Sequence, residues 1–197
     1  MGELVLKKEA TYADLEAVPE HLVAEILGGE LFTHPRPAPR NAAAAFAFGK
    51  ALGPKFQSGN GGPDDWVFMV EPELHLGRDV VVPDLAGWHA DRLAELPGLA
   101  WIEIVPDWIC EILSPSTEVR DRGIKRKIYA RSRAGHYWLL DPRIRQLEVF
   151  ELRKGDWVLL DTFADDAKTS APPFSALTFD LSLFWPLDKK PQKKSKK

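Results

Sequence analysis

Val80-Val81-Val82-Pro83-Asp84-Leu85 and, after a polar stretch, Trp108-Ile109-Cys110-Glu111-Ile112-Leu113-Ser114-Pro115-Ser116-Thr117 are the segments on which the fold turns. Each is an apolar run of strand length, and each strand presents one carboxylate, Asp84 in the first and Glu111 in the second. A carboxylate among Val, Ile, Leu and Trp is costly to desolvate unless a cation or hydrogen-bond donors meet it. Beyond the second run, Ser114-Pro115-Ser116-Thr117 can cap a helix beginning near Glu118. On that helix, roughly Glu118 to Ser132, Asp121, Lys125 and Tyr129 share one face at four-residue spacing. Two carboxylates followed by an amine point to a divalent cation with a charge stabiliser beside it. The carboxylate pair alone is a weak signal; the cap and the lysine-bearing helix give it weight.

Upstream, Thr11 and Asp14 form an approximate capping box for a short helix. Leu22–Leu27 and Glu30–Thr33 flank Gly28-Gly29 and read as a tight β-hairpin, with Glu25 inside its first strand. Glu25 reads either as a solvated edge-strand residue or as a further member of the acidic site. His34–Arg40, with three prolines, reads as a loop, and Asn41 as the N-cap of an alanine-rich helix, Ala42–Phe56. The Gly-rich run Ser58–Asp65 reads as a turn. Trp66–Val70, Glu73–Leu76 and Val80–Val82 read as strand material, and Trp88–Leu96 as a polar surface segment.

Downstream, the helix after Thr117 is strongly basic, which also fits a solvated face laced by ion pairs. Gly135 fits its C-cap. Tyr137–Asp141, Gln146–Leu152 and Trp157–Thr162 read as an antiparallel meander with one covered face. Phe174, Leu177, Phe179 and Leu181 are expected to close the core.

With 197 residues, 45% hydrophobic and 28% charged, the composition is that of an ordinary single-domain globular chain. No window is apolar enough to span a membrane, and the first residues lack the apolar core of a signal peptide. One cysteine, Cys110, excludes an internal disulfide and a multi-cysteine zinc site and reads as a buried thiol. A cytoplasmic protein is expected. Six lysines lie between Asp188 and Lys197; without that segment 20 basic residues face 28 acidic ones, a net charge of −8. Since phosphate contacts come from Lys and Arg, any nucleic-acid face must be a local patch. The five histidines show no metal-box spacing, and neither a Walker loop nor a Gly-x-Ser-x-Gly elbow occurs. The tryptophans are expected in the core.

Taken together, Glu25-x-x-Gly28-Gly29-Glu30-Leu31, Val82-Pro83-Asp84-Leu85, Glu111 to Thr117, Asp121-x-x-x-Lys125-x-x-x-Tyr129 and Tyr137-Trp138-Leu139-Leu140-Asp141-Pro142 resemble the Uma2 (DUF820) family of bacterial endonucleases, of the PD-(D/E)xK class. The resemblance covers roughly residues 10 to 185. It implies an α/β (α+β), restriction-endonuclease-like fold: a central mixed β-sheet flanked by helices, with an antiparallel C-terminal meander. One domain would span residues 1–187, followed by a disordered lysine-rich tail at 188–197.

By the same resemblance, Asp84 and Glu111 are the two acidic positions, and Glu25 is the N-terminal one. The carbonyl of Ile112 would join Asp84 and Glu111 in holding Mg²⁺, for which Mn²⁺ can substitute. Leu113 stands where the class usually has lysine, so Lys125 would supply the amine from the helix and stabilise the transition state. Lys127, about 200° around the helix from Lys125, is the reserve. Asn41 stands where a histidine is frequent in the family. The implied activity is Mg²⁺-dependent hydrolysis of phosphodiester bonds in DNA, often by a homodimer. Two other readings remain open: a catalytically inactive nuclease-like module binding nucleic acid or protein, and a hydrolase acting on nucleotides.

Overall fold

The computed structural model describes residues 9–57, 65–93 and 95–185. The glycine-rich turn, apart from Asp65, and the lysine-rich tail lie outside the described residues.

The Thr11 capping box forms as expected and opens helix α1 (Tyr12–Glu16): the Asp14 amide donates to Thr11 Oγ1 at 3.3 Å, and the Thr11 amide donates to Asp14 Oδ2 at 2.8 Å. Strands β1 (Leu22–Leu27) and β2 (Glu30–Pro35) make the hairpin, with Leu27 opposite Glu30. Both turn residues, Gly28 and Gly29, take positive φ (63° and 85°), the backbone a two-residue hairpin requires. A side chain at Gly28 would also meet Ile124 at 3.2 Å, so glycine lets the hairpin dock close to the helix that carries Lys125.

Helix α2 spans Pro39–Phe56 and begins earlier than the sequence pattern indicates. Ala38 is its N-cap and Pro39 fills the first helical position, where a missing N–H costs nothing. Asn41 is therefore inside the helix and buried, not a cap. Its amide serves elsewhere.

Strands β3 (Trp66–Val70), β4 (Leu74–Leu76), β5 (Asp79–Val81), β6 (Leu85–His89) and β7 (Trp108–Ile112) follow. Two expectations are corrected here. Asp84 stands between β5 and β6 rather than within a strand, and Leu85–His89 is an interior strand whose Trp88 is fully buried. The Trp88 indole donates to the Ile104 carbonyl at 2.8 Å, which removes the polar cost of burying that ring.

After β7 one continuous helix carries the chain back. It is α-helical over Glu118–Arg120 (α3), π-helical over Asp121–Lys125, and α-helical again over Arg126–Arg131 (α4). It ends on Arg133 in the left-handed region (φ 69°), with Ala134 N–H bonded to Tyr129 O and Arg133 N–H to Ala130 O. Gly135 is thus not the cap. A side chain there would meet the Asp107 carbonyl at 3.1 Å.

Strands β8 (His136–Asp141), β9 (Gln146–Arg153) and β10 (Asp156–Ala164) form the expected meander. The short pair β11 (Lys168–Thr169) and β12 (Phe179–Asp180) and a 3₁₀ turn (Leu181–Phe184) complete the described chain.

A six-stranded sheet has the order β10-β9-β8-β7-β6-β3, and a four-stranded sheet has β2-β1-β5-β4. The β7–β8 pair is parallel, because the composite helix crosses over between them. The other strand pairs are antiparallel.

Alternation along β7 and β8 decides which side chains meet which layer. Trp108, Cys110, Ile112, Trp138 and Leu140 pack against Phe48 and Leu52 of α2 and against Phe174, Phe179, Leu181 and Phe184, with Leu177 at the edge. Ile109, Leu113, Tyr137 and Leu139 face Ile128 and Tyr129 of the composite helix. Glu111 lies in this second set, between Ile109 and Leu113, so the strand period aims it at the helix. No helix among the described residues is long and apolar enough to cross a membrane.

Candidate acidic cleft

Four carboxylates from four parts of the chain come together around one lysine. Glu25 comes from β1, Asp84 from the link between β5 and β6, Glu111 from β7, and Asp121 and Lys125 from the π-helical turn. Glu25, Glu111, Asp121 and Lys125 are each at most 2% exposed. Asp84 is shielded on most sides but keeps part of its surface on a cleft of about 170 Å³, which Glu111, Asp121 and Lys125 also line.

The π turn explains the shared face. Along an α-helix each four-residue step overshoots a full turn by about 40°. A wider turn undershoots it. One step of each kind, Asp121 to Lys125 and then to Tyr129, keeps all three side chains toward Glu111.

Lys125 Nζ lies 2.8 Å from Glu111 Oε1 and 2.9 Å from Glu25 Oε1, and donates to the Val82 carbonyl at 3.1 Å. Those three contacts account for the three protons of an ammonium. Asp121 Oδ1 is a more distant 3.7 Å away. Burial works against the lysine's charge, but Glu111, Glu25 and Asp121 outweigh it and hold the amine protonated well beyond its usual range.

The carboxylates have further partners. The Tyr129 hydroxyl donates to Glu111 Oε1 at 2.7 Å, and the Asp84 amide approaches Glu111 Oε2 at 3.4 Å. The Val82 amide donates to Glu25 Oε1 at 2.9 Å, and the Ile112 amide to Asp84 Oδ2 at 2.7 Å. Burial pushes the Asp84 carboxyl up to about 7, against the opposing pull of the Ile112 amide and Lys125. Burial likewise raises Glu111, partly offset by Lys125. It raises Asp121 too, with Lys125 and the Thr117 hydroxyl pulling the other way. Negative charge is in excess here.

Hard oxygen donors of this kind suit Mg²⁺ or Mn²⁺. Asp121 Oδ2 is buried without a hydrogen-bond partner among the described residues, as a cation-binding hollow would leave it. Among those residues no three His, Cys, Asp or Glu side chains converge closely enough to cage a bare ion. Magnesium usually takes few protein carboxylates and keeps several waters, so the oxygen donors on this cleft fit such an ion by their chemistry. The Ile112 carbonyl, also expected at the metal, accepts from Asn41 Nδ2 at 2.7 Å and has only its second lone pair to offer.

Lys127 is exposed and lies along another groove, beside Arg126 and Trp157. It does not reach the cleft. His34, set aside in the sequence as a surface or loop residue, lines it, with Nε2 3.8 Å from Glu25 Oε2. The hairpin register carried that signal. With Gly28-Gly29 as the turn, His34 pairs with Val23 and so lies diagonally across from Glu25 on one face.

The Uma2 family model, described as "Putative restriction endonuclease", matches residues 10–183. The chain belongs to the Uma2 family. Among solved structures, this Uma2 chain is similar to one described as a "putative nuclease belonging to DUF820" from Anabaena variabilis ATCC 29413. The two share 19% identity at a TM-score of 0.68, over 89% of this chain and 97% of the other. The fold is restriction-endonuclease-like. No curated protein matches the chain.

Proposed function

We propose that this Uma2 protein is a divalent-metal-dependent endonuclease that hydrolyses phosphodiester bonds of DNA. The supporting observation is the meeting of Asp84, Glu111 and Lys125 at one cleft, with Lys125 Nζ 2.8 Å from Glu111 Oε1. Family membership supports the reaction class.

In this reading Asp84 and Glu111 hold Mg²⁺, or Mn²⁺ in its place. When bound, the ion supplies positive charge to the phosphoryl oxygens and lowers the pKa of a coordinated water. Tyr129 and Lys125 both bind Glu111 Oε1, which leaves Oε2 with only the long contact to the Asp84 amide at 3.4 Å. Lys125 acts at short range by orienting Glu111 and Glu25, and at longer range by placing a fixed cation near charge that develops on the phosphate. Direct contact between Lys125 and the phosphate requires one of its three bonds to yield. Arg36, exposed on the cleft wall, would meet a backbone phosphate by exchanging its contacts to Glu71 at 3.4 Å and to the Glu20 carbonyl at 3.1 Å. A homodimeric state belongs to the same proposal and is read by light scattering.

Incubation of supercoiled plasmid with Mg²⁺ or Mn²⁺ tests the reading. Wild type is expected to nick or cleave it, and Asp84→Ala and Glu111→Ala to lose at least about 100-fold. Equal activity in all three would remove these residues from the mechanism.

A second reading is favoured by one observation, the complete engagement of Lys125 by protein acceptors. It makes the chain a nuclease-like binding module without catalysis. Calorimetric titration with Mn²⁺ separates the two. A site lost in Asp84→Ala supports the enzyme, and no binding at millimolar metal supports the module.

A further inference from the structure

One carboxylate on the cleft has no task in that reading. Asp121 is 1% exposed, and its Oδ2 has no hydrogen-bond partner among the described residues. Lys125 does not supply one, because its protons go to Glu25, Glu111 and Val82, leaving Asp121 Oδ1 at 3.7 Å. The residue is nonetheless held firmly in place. Its backbone carbonyl accepts the Tyr137 hydroxyl at 3.0 Å, and it opens the π turn that puts it on the cleft. Leaving a buried acceptor unsatisfied is costly, more so when it is charged. A fixed, unpaired oxygen beside Asp84 and Glu111 calls for a donor that enters through the cleft.

The spacing of the carboxylates says what kind of donor. No three of the acidic or imidazole side chains described converge on one bare ion. A third carboxylate beyond direct reach of such an ion meets it through its water. Magnesium and manganese shells keep several waters, and those waters are strongly polarised donors.

We propose that Asp121 is the outer-sphere anchor of the cation site, its Oδ2 accepting a hydrogen bond from a water in the shell of an ion held by Asp84 and Glu111. The inference rests on the metal reading above and assigns Asp121 as a positioning residue: it sets how tightly and in what orientation the hydrated ion is held. Outer-shell partners of this type typically change metal affinity by about 10–100-fold when removed.

The test is Mn²⁺ affinity, measured without substrate by calorimetry and by the electron paramagnetic resonance of free Mn²⁺. Asp121→Asn, which replaces the carboxylate with an amide of the same shape, is expected to bind one Mn²⁺ at least about 10-fold more weakly. The rise in melting temperature on adding Mn²⁺ should shrink with it. Asp121→Ser, which leaves room for a water, gives the same reading should the Asn variant fail to fold. Unchanged Mn²⁺ affinity in a folded variant would overturn the role of Asp121 while leaving the metal reading intact. Absence of Mn²⁺ binding by wild type would overturn both.

Discussion

The Tyr129 hydroxyl and the Glu111 carboxylate meet at 2.7 Å inside the protein, one turn of helix beyond Lys125. Glu111 Oε1 thus takes one bond from a phenol and one from an ammonium, both carried by the composite helix. Tyr129→Phe removes the neutral donor and leaves the charged one. The expected loss of stability is about 1–3 kcal/mol, a fall of about 2–12 °C in melting temperature for a chain of this size. Thermal denaturation without metal checks it, and an unchanged Tm would show that the hydrogen bond is worth little.

Lys125 is the cation on which Glu25 and Glu111 depend, so Lys125→Met should be severe. Removing one partner of a buried ion pair costs about 3–5 kcal/mol, because the other charge remains. The deficit has a pH signature. Deprived of the ammonium, Glu111, which burial already raises, has a folded-state pKa still further above its unfolded one. Its contribution is therefore intact below about pH 4 and lost as pH rises. Urea denaturation of wild type and variant at pH 5 and pH 8 should show a larger gap at pH 8. An equal gap at both would argue against buried charge as the cause.

Asp84 gives a second pH dependence in the metal-free protein. Burial raises its carboxyl from 3.8 to about 7. The folded state then binds a proton more tightly than the unfolded chain does. Its contribution to stability is full below about pH 4 and lost as pH climbs through about 7. Three pH units correspond to at most about 4 kcal/mol, and the opening onto the cleft reduces that figure. Asp84→Asn should flatten this slope and raise the melting temperature at pH 8 while abolishing Mn²⁺ binding. Mn²⁺ added to wild type at pH 8 should raise it too, since a ligand that binds only the folded state stabilises it. A slope identical in Asp84→Asn and wild type would assign the pH dependence to other groups.

Lys127 offers the contrast. It is exposed, and it faces the groove beside Trp157 rather than the acidic cleft. Lys127→Ala should change stability by less than about 0.5 kcal/mol. Plasmid cleavage at physiological salt should stay within about 2-fold of wild type. A 100-fold loss would show that the amine of the site is Lys127 and not Lys125.

Much of this arrangement is written in local sequence. Gly28-Gly29 dictates a hairpin and its register, because only glycine takes two consecutive positive-φ positions at no cost. The Thr11–Asp14 box opens a helix by itself. The period of two along β7 sends Trp108, Cys110 and Ile112 to one side and Glu111 to the other. The four-residue spacing of Asp121, Lys125 and Tyr129 puts them near one face, and the π turn brings them into line.

Other features depend on distant partners. Trp88 reads as part of a polar segment, since its neighbours include His89, Asp91 and Arg92. It is buried because β6 lies between β3 and β7. Asn41 looks like a helix cap, but Pro39 starts the helix earlier, and only the approach of β7 gives the Asn41 amide the Ile112 carbonyl.

The sequence by itself determined which residues alternate, cap and turn, and therefore which elements form and which way Glu111 points. Only the tertiary structure decided that Glu25, Asp84, Glu111 and Asp121 surround a single ammonium, and that Lys125 serves that cluster while Lys127 faces another groove. Local rules act through bonds and sterics over a few residues. The balance of one buried cation against four carboxylates depends on distances between segments up to a hundred residues apart, and those exist only once the two sheets and the composite helix have packed.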